Sequence, residues 1–120
     1  MRAILVWAMF LALPNGALAA GYVSDGHIYD LRCNKDGYVL TSRYPIVRII
    51  GVGAGSQQVA GRETVFLGRS CDAGHKLFGQ GSWCWANGGF VVRFAGHSFG
   101  FPRQELTCQP DPESNLNCRC

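Results

Sequence analysis

The stretch SWCWANGGFVVRFAGHSFGF, residues 82–101, alternates bulky apolar side chains with small or polar ones and is cut twice by glycine-bearing reversals. Asn87-Gly88 is the stronger reversal, because both central residues of a type I′ turn need positive φ. A turn there sets Trp85 opposite Phe90, Cys84 opposite Val91 and Trp83 opposite Val92. Gly96-His97 reads as a second two-residue turn, type II′ with glycine first, setting Phe94 opposite Phe99 and Val92 opposite Phe101. In this register Trp83, Trp85, Phe90, Val92, Phe94, Phe99 and Phe101 fall on one face, and Ser82, Cys84, Val91, Arg93, Ser98 and Gly100 on the other. A slip of one residue would mix the two sets, so their clean separation argues for the pairing. The expectation is a three-stranded antiparallel ribbon with its rings turned inward.

Working outward, Asn34-Lys35-Asp36-Gly37 predicts a turn joining strands near residues 28–33 and 38–43, with Tyr29, Leu31 and Cys33 on one face and Asp30 and Arg32 on the other. Pro45 is suited to open a strand over 46–50. A glycine-rich loop follows, then a strand over 63–68 and, after Pro102, a last short strand over 105–108. No repeat, low-complexity run or amphipathic helical stretch interrupts this pattern. The fold class predicted is all-β: a small antiparallel barrel or sandwich of about eight short strands.

The first residues have a different character. Arg2 precedes an unbroken apolar run from Ala3 to Leu13, Pro14-Asn15-Gly16 breaks any helix, and Ala17-Leu18-Ala19 offers small residues at the two positions a signal peptidase reads. The run is far shorter than the ~20 residues that span a bilayer. The reading is a cleavable signal over residues 1–19, with cleavage after Ala20 as the alternative, followed by one soluble β domain over 20–108 and an irregular cysteine-bearing tail over 109–120. No cysteine stands directly after the cleavage point, so a lipid anchor is not indicated. A periplasmic or secreted location follows.

The chain has 120 residues and a formal charge of +3, one unit of which leaves with Arg2. So weak and scattered a charge, with no Lys/Arg run, is no nucleic-acid footprint. The six cysteines, Cys33, Cys71, Cys84, Cys108, Cys118 and Cys120, all follow the signal. An even count on an exported chain predicts three disulfides. The alternative is a zinc site built on Cys118 and Cys120 with His27, His75 or His97, but C-x-C lacks the usual second cysteine pair. Cys84 lies opposite the aromatic face, so it is expected outside the core and bonded to Cys118 or Cys120, leaving Cys33, Cys71 and Cys108 to share the other.

Several motifs imitate known chemistry. Ile49-Ile50-Gly51-Val52-Gly53-Ala54-Gly55-Ser56 resembles a dinucleotide loop, but Gln57 to Arg62 leaves no room for the helix such a loop must open. The residues around Cys84 resemble those of a papain-type nucleophile, yet this cysteine is placed in a hairpin strand rather than at a helix N-terminus. Ser70, Asp72 and His75 gather hydrolase-triad residue types within six positions, although triads are assembled in space and nothing indicates a strained nucleophile turn. His27 and His97 read as exposed turn residues. No cofactor motif is present. The aromatic face is expected to be core; should one ring serve as a glycan platform, Trp83 is the candidate, because Trp85 sits beside the tight turn. Pro102 and Arg103 form the segment best suited to binding, since proline stiffens the chain and Arg103 could enter a trypsin-like pocket or meet an anion.

In size, export and architecture such a domain resembles the small β-barrel lysozyme inhibitors of bacterial periplasms. The resemblance implies a non-enzymatic binding protein that inhibits a lysozyme- or protease-like hydrolase; an envelope- or glycan-binding module is the other version. The partner expected is a protein or glycan of the periplasm or extracellular space, with no nucleic acid and no membrane after signal cleavage, and with the oligomeric state left open. The contrasting classes are a small secreted hydrolase using Ser70, Asp72 and His75, and a structural secreted protein without a discrete site.

Overall fold

A computed structural model describes residues 21–108 and 117–120; the predicted signal and most of the predicted tail lie outside the described residues. Ten strands follow in chain order: β1 Tyr22–Ser24, β2 His27–Asn34, β3 Gly37–Ser42, β4 Ile46–Ile50, β5 Gln57–Gly61, β6 Thr64–Gly68, β7 Asp72–His75, β8 Gly79–Ala86, β9 Gly89–Phe94 and β10 His97–Phe101. Eight of them form one antiparallel sheet in the order β1-β2-β3-β6-β7-β8-β9-β10, and β4 and β5 form a separate hairpin.

The large sheet curls until β10 lies beside β1, making a nearly closed barrel. The seam is closed by side chains. The Val23 amide donates to Gln104 Oε1 at 2.6 Å, Gln104 Nε2 donates to the Val23 carbonyl at 2.8 Å, and the Tyr22 hydroxyl donates to the Glu105 carbonyl at 2.6 Å. One carboxamide thus occupies the donor and acceptor that a neighbouring strand would otherwise satisfy, which removes an exposed edge.

The 82–101 ribbon forms with its rings inside. Ala86 pairs with Gly89 around Asn87 (φ 54°) and Gly88 (φ 68°), and Trp83, Phe90, Val92, Phe94, Phe99 and Phe101 are all buried. The second reversal differs from the expectation. It is centred on Ala95-Gly96, so Phe94 pairs with His97 and Val92 with Phe99. Gly96 has φ 80° and takes the second central position, the one that needs positive φ in a type II turn. The error in register is two residues, which preserves side-chain parity, so the inward set survives it.

Two further expectations fail. Residues 105–108 form no strand, because the Gln104 side chain already occupies the β1 edge they would need. Trp83 is no exposed platform: it is 1% exposed, its Nε1 donates to the Gly68 carbonyl at 2.9 Å, and its ring packs edge-on against Tyr38 and Trp85. Trp85 is the half-buried ring, at the barrel end where the Cys118 carbonyl accepts its backbone amide at 2.7 Å. The core continues through Tyr29, Leu40, Val65 and Leu67, each essentially without solvent exposure, and Phe90 stacks on Phe101 at 4.4 Å. Each of these rings removes roughly 150–250 Å² from water on burial.

The disulfides are Cys33–Cys108, Cys71–Cys118 and Cys84–Cys120, leaving no free cysteine and thus no zinc ligand among them. All three lie at the end of the barrel where β2 finishes, β7 begins and β8 finishes. There β7 stops short, and the tail takes its place beside β8 through a bridge between Trp85 and Arg119. Three bridges in a domain this small are typical of proteins in oxidising, extracellular or periplasmic compartments.

Candidate functional site

The opposite end of the barrel carries the chemistry. Ile46, Arg48 and Ile50 alternate toward the barrel, while Val47 and Ile49 point to solvent. Arg48 is therefore a cation at an inward position of an apolar strand, and it meets Glu63, the buried residue that precedes β6. Arg48 Nε donates to Glu63 Oε2 at 2.9 Å and Nη2 to Oε1 at 2.8 Å, the bidentate fork that makes guanidinium–carboxylate pairs strong. The guanidinium also lies over the rings of Phe78 and Phe99, 5.6 and 5.3 Å from their centroids.

Glu63 gathers further partners. The Tyr29 hydroxyl donates to Oε1 at 3.3 Å, and His75 Nε2 lies 3.0 Å from the same oxygen. His75 Nδ1 accepts the backbone amides of Leu77 at 3.0 Å and Phe78 at 3.3 Å, which leaves the ring proton on Nε2, toward the carboxylate. The Glu63 backbone is held at the same time: its amide donates to Ser42 Oγ at 2.7 Å and its carbonyl accepts the Ser42 amide at 2.7 Å. Burial alone would raise this carboxyl, but His75 and Arg48 outweigh it and hold the pKa down to about 2. The same burial, reinforced by the Glu63 charge, drives the Tyr29 phenol well above its ordinary value.

Phe78 lies between two imidazoles, 4.4 Å from His75 and 4.4 Å from His97, the latter pair nearly parallel at 11°. His97 is thus a half-buried stacking residue rather than an exposed turn residue, because the turn falls one position earlier. Burial first, and then the Arg48 charge, push its pKa below the usual histidine value. His27 is likewise half-buried, paired with Ser24.

Beyond this cluster, β4 and β5 rise from the barrel as a finger. Val47 pairs with Ala60 and Ile49 with Gln58 on its outward face, and Arg48 pairs with Val59 on the other. The tip, residues 51–56, holds a single 3-10 turn, and the strand β5 is exposed at every residue. What read as a dinucleotide loop is the tip of this antiparallel hairpin. Arg48 is the finger's one charged residue, and Glu63 balances it. A cleft of about 370 Å³ separates the finger from the barrel wall, lined by Ile46, Val59, Phe66 and Leu77 and flanked by Arg62 and Lys76.

Of the eight exposed large apolar side chains among the described residues, seven lie on the link into the finger (Tyr44), on the finger (Val47, Ile49, Val52, Val59) or on the wall facing it (Phe66, Leu77). Val52 at the tip is 91% exposed and Ile49 is 73% exposed. Scattered apolar residues on a surface need no explanation, but a concentration of them marks an interaction site.

The residues singled out in the sequence are not brought together. Ser70 is exposed in a turn, Asp72 points outward from β7, and His75 points inward to Glu63. With His75 turned inward against Glu63 and the serine outside, these three make no triad. Pro102 and Arg103 are exposed at the disulfide end, and Arg103 adopts φ 57°. Trp83 is core. Sequence reasoning missed Arg48, Glu63 and Tyr29; the available signal was one cation at an inward position of the Ile46–Ile50 strand, which calls for a buried anion. Among the described residues no cluster of His, Cys, Asp and Glu is arranged to hold a metal ion. No protein-family model, curated protein or solved structure matches this chain.

Proposed function

We propose that the protein is an exported, non-enzymatic binding protein of the inhibitor type, whose finger over residues 46–61 docks on a protein partner, a hydrolase of the periplasm or extracellular space. The observation that carries this reading is the finger itself: apolar, without an unbalanced charge, and anchored at its root by the Arg48–Glu63 fork to a barrel braced by three disulfides. A preorganised projection of this kind loses little conformational entropy on binding. Its tip is built of small residues around Val52, which suits insertion into a substrate cleft, and Arg62 and Lys76, which flank the cleft at its root, suit a partner with an acidic rim.

The test is inhibition of a cell-wall lysozyme and of a trypsin-like protease by the disulfide-intact protein. Ile49→Asp/Val52→Asp is expected to weaken inhibition by at least about tenfold, the effect of ~1.4 kcal/mol. Full inhibition by that variant, or no inhibition of either enzyme, overturns the reading.

A second reading has its own observation. Pro102 and Arg103 form the centre of a turn whose second position favours glycine, yet arginine occupies it with φ 57°. Strained backbone of this kind clusters at functional sites, and here it displays an arginine to solvent beside a seam held by Gln104. If this turn is the inhibitory element, Arg103→Ala abolishes protease inhibition and the finger variant leaves it intact.

A further inference from the structure

On the outer wall of the barrel, away from the finger tip, β3, β6 and β7 present glycines where neighbouring strands would present side chains. Gly37 pairs with Gly68, and Gly74 pairs with Phe66. A groove of about 390 Å³ runs along this wall and is open at Gly74, where an added side chain would meet only Phe66. That volume is within the roughly 300–1,000 Å³ of small-molecule clefts.

Phe66 stands at one side of this groove, 52% exposed in mid-strand, with only Gly74 beside it on β7. Asp36, Asp72 and Gln80 line the groove as well, and no lysine or arginine does. The Asp72 carboxylate lies over Gly68, in the space a Cβ would occupy, so the glycine is what lets it reach into the groove.

We propose that this groove is a binding site for a neutral oligosaccharide, with one pyranose ring stacked on Phe66 and its hydroxyls bonded to Asp36, Asp72 and Gln80. The π face of an exposed ring is negative and attracts the polarised C–H groups of a sugar's apolar face. Hydroxyls both donate and accept. Carboxylates satisfy the donors, and the carboxamide supplies a donor as well as an acceptor. Two carboxylates without a cation exclude an anionic ligand. The two carboxylates would attract a cationic ligand as well, so the neutral reading rests on the exposed Phe66 ring and the Gln80 carboxamide, and a cation is the competing outcome of the test. Phe66 also borders the cleft beside the finger, whereas Asp36, Asp72 and Gln80 line only the groove, so the finger variant Ile49→Asp/Val52→Asp tests the inhibitor reading apart from this site.

The experiment is an amide NMR titration of the oxidised protein with tri-N-acetylchitotriose and, separately, with tetralysine. The sugar is expected to move the amides of Gly68, Gly74 and Gln80 saturably. Phe66→Ala should weaken binding at least about tenfold while leaving the spectrum elsewhere unchanged, since the ring is exposed, and Phe66→Trp should retain or tighten it. Absence of saturable shifts with the sugar, equal binding by Phe66→Ala, or saturation of the same amides by tetralysine instead would each overturn the proposal.

Discussion

At one end of the barrel three disulfides tie β2 to Cys108 and tie the start of β7 and β8 to the last residues of the chain; at the other, Arg48, Glu63, His75 and Tyr29 meet from four separate segments, with no covalent link between them. The covalent end draws its stability mainly from restricting the unfolded chain, through loops whose ends are 75, 47 and 36 residues apart. Its contribution does not depend on pH but vanishes in reductant. The electrostatic end is stable only while a buried carboxylate stays charged and fully partnered. It resists reductant and yields to acid. The binding element proposed for the protein rises from this second end, so the ion pair buried there also fixes the finger.

The largest effect expected is on the covalent end. Reduction of all three bridges removes about 2–4 kcal/mol each, enough to unfold a domain of this size, whose total stability is of order 5–15 kcal/mol. Loss of the far-ultraviolet signature of the barrel on reduction at neutral pH checks this; a reduced chain that stays folded would mean that the electrostatic end suffices alone.

Glu63→Gln should cost about 3–5 kcal/mol, because it leaves Arg48 buried without its anion. Urea denaturation of the oxidised variant measures it. The comparison sharpens further if Glu63→Gln/Arg48→Met recovers part of that loss, as removal of both charges of a buried pair often does.

Acid should act on the electrostatic end alone. The Glu63 carboxyl lies at about 2 in the fold against 4.5 when unperturbed, so its stabilisation is present above 4.5 and is lost as pH falls toward 2. His97 acts in the same direction at higher pH. Its folded pKa is below the ordinary 6.5, so the unfolded chain takes up that proton first and stability declines as pH drops below 6.5. Urea midpoints of the oxidised protein across these two windows should fall in both. Glu63→Gln should flatten the lower one, and His97→Phe the upper.

The smallest effect on stability is expected at the finger tip. Val52→Asp should change the urea midpoint by no more than the equivalent of about 0.5 kcal/mol, since the side chain is 91% exposed. A large loss would show that the tip is part of the fold rather than a presented surface.

How far these two ends were legible in advance follows from the distances involved. The Asn87-Gly88 reversal and the inward set from Trp83 to Phe101 were readable because turn chemistry and strand alternation act within a few residues. Parity also placed Cys84 outside the core, within reach of the tail. The error at Gly96-His97 arose because glycine favours either central position of a turn, and Ala95 gave no signal of its own. Trp83 was placed inside correctly, but it was ranked above Trp85 as the ring to be exposed, because the Gly68 carbonyl and Tyr38 that bury it come from other strands.

The amino-acid sequence alone determined the antiparallel all-β character, the tight hairpin with its aromatic face, and an even set of cysteines disposed for cross-linking, since each follows from backbone preferences or side-chain alternation over short spans. Only the tertiary structure decided that Gln104 would close the barrel, that Arg48 and Glu63 would find each other with His75 and Tyr29, and that β4 and β5 would leave the sheet as a finger. Those outcomes depend on which strands become neighbours, and that is set by the joint burial of the whole apolar set rather than by any one segment.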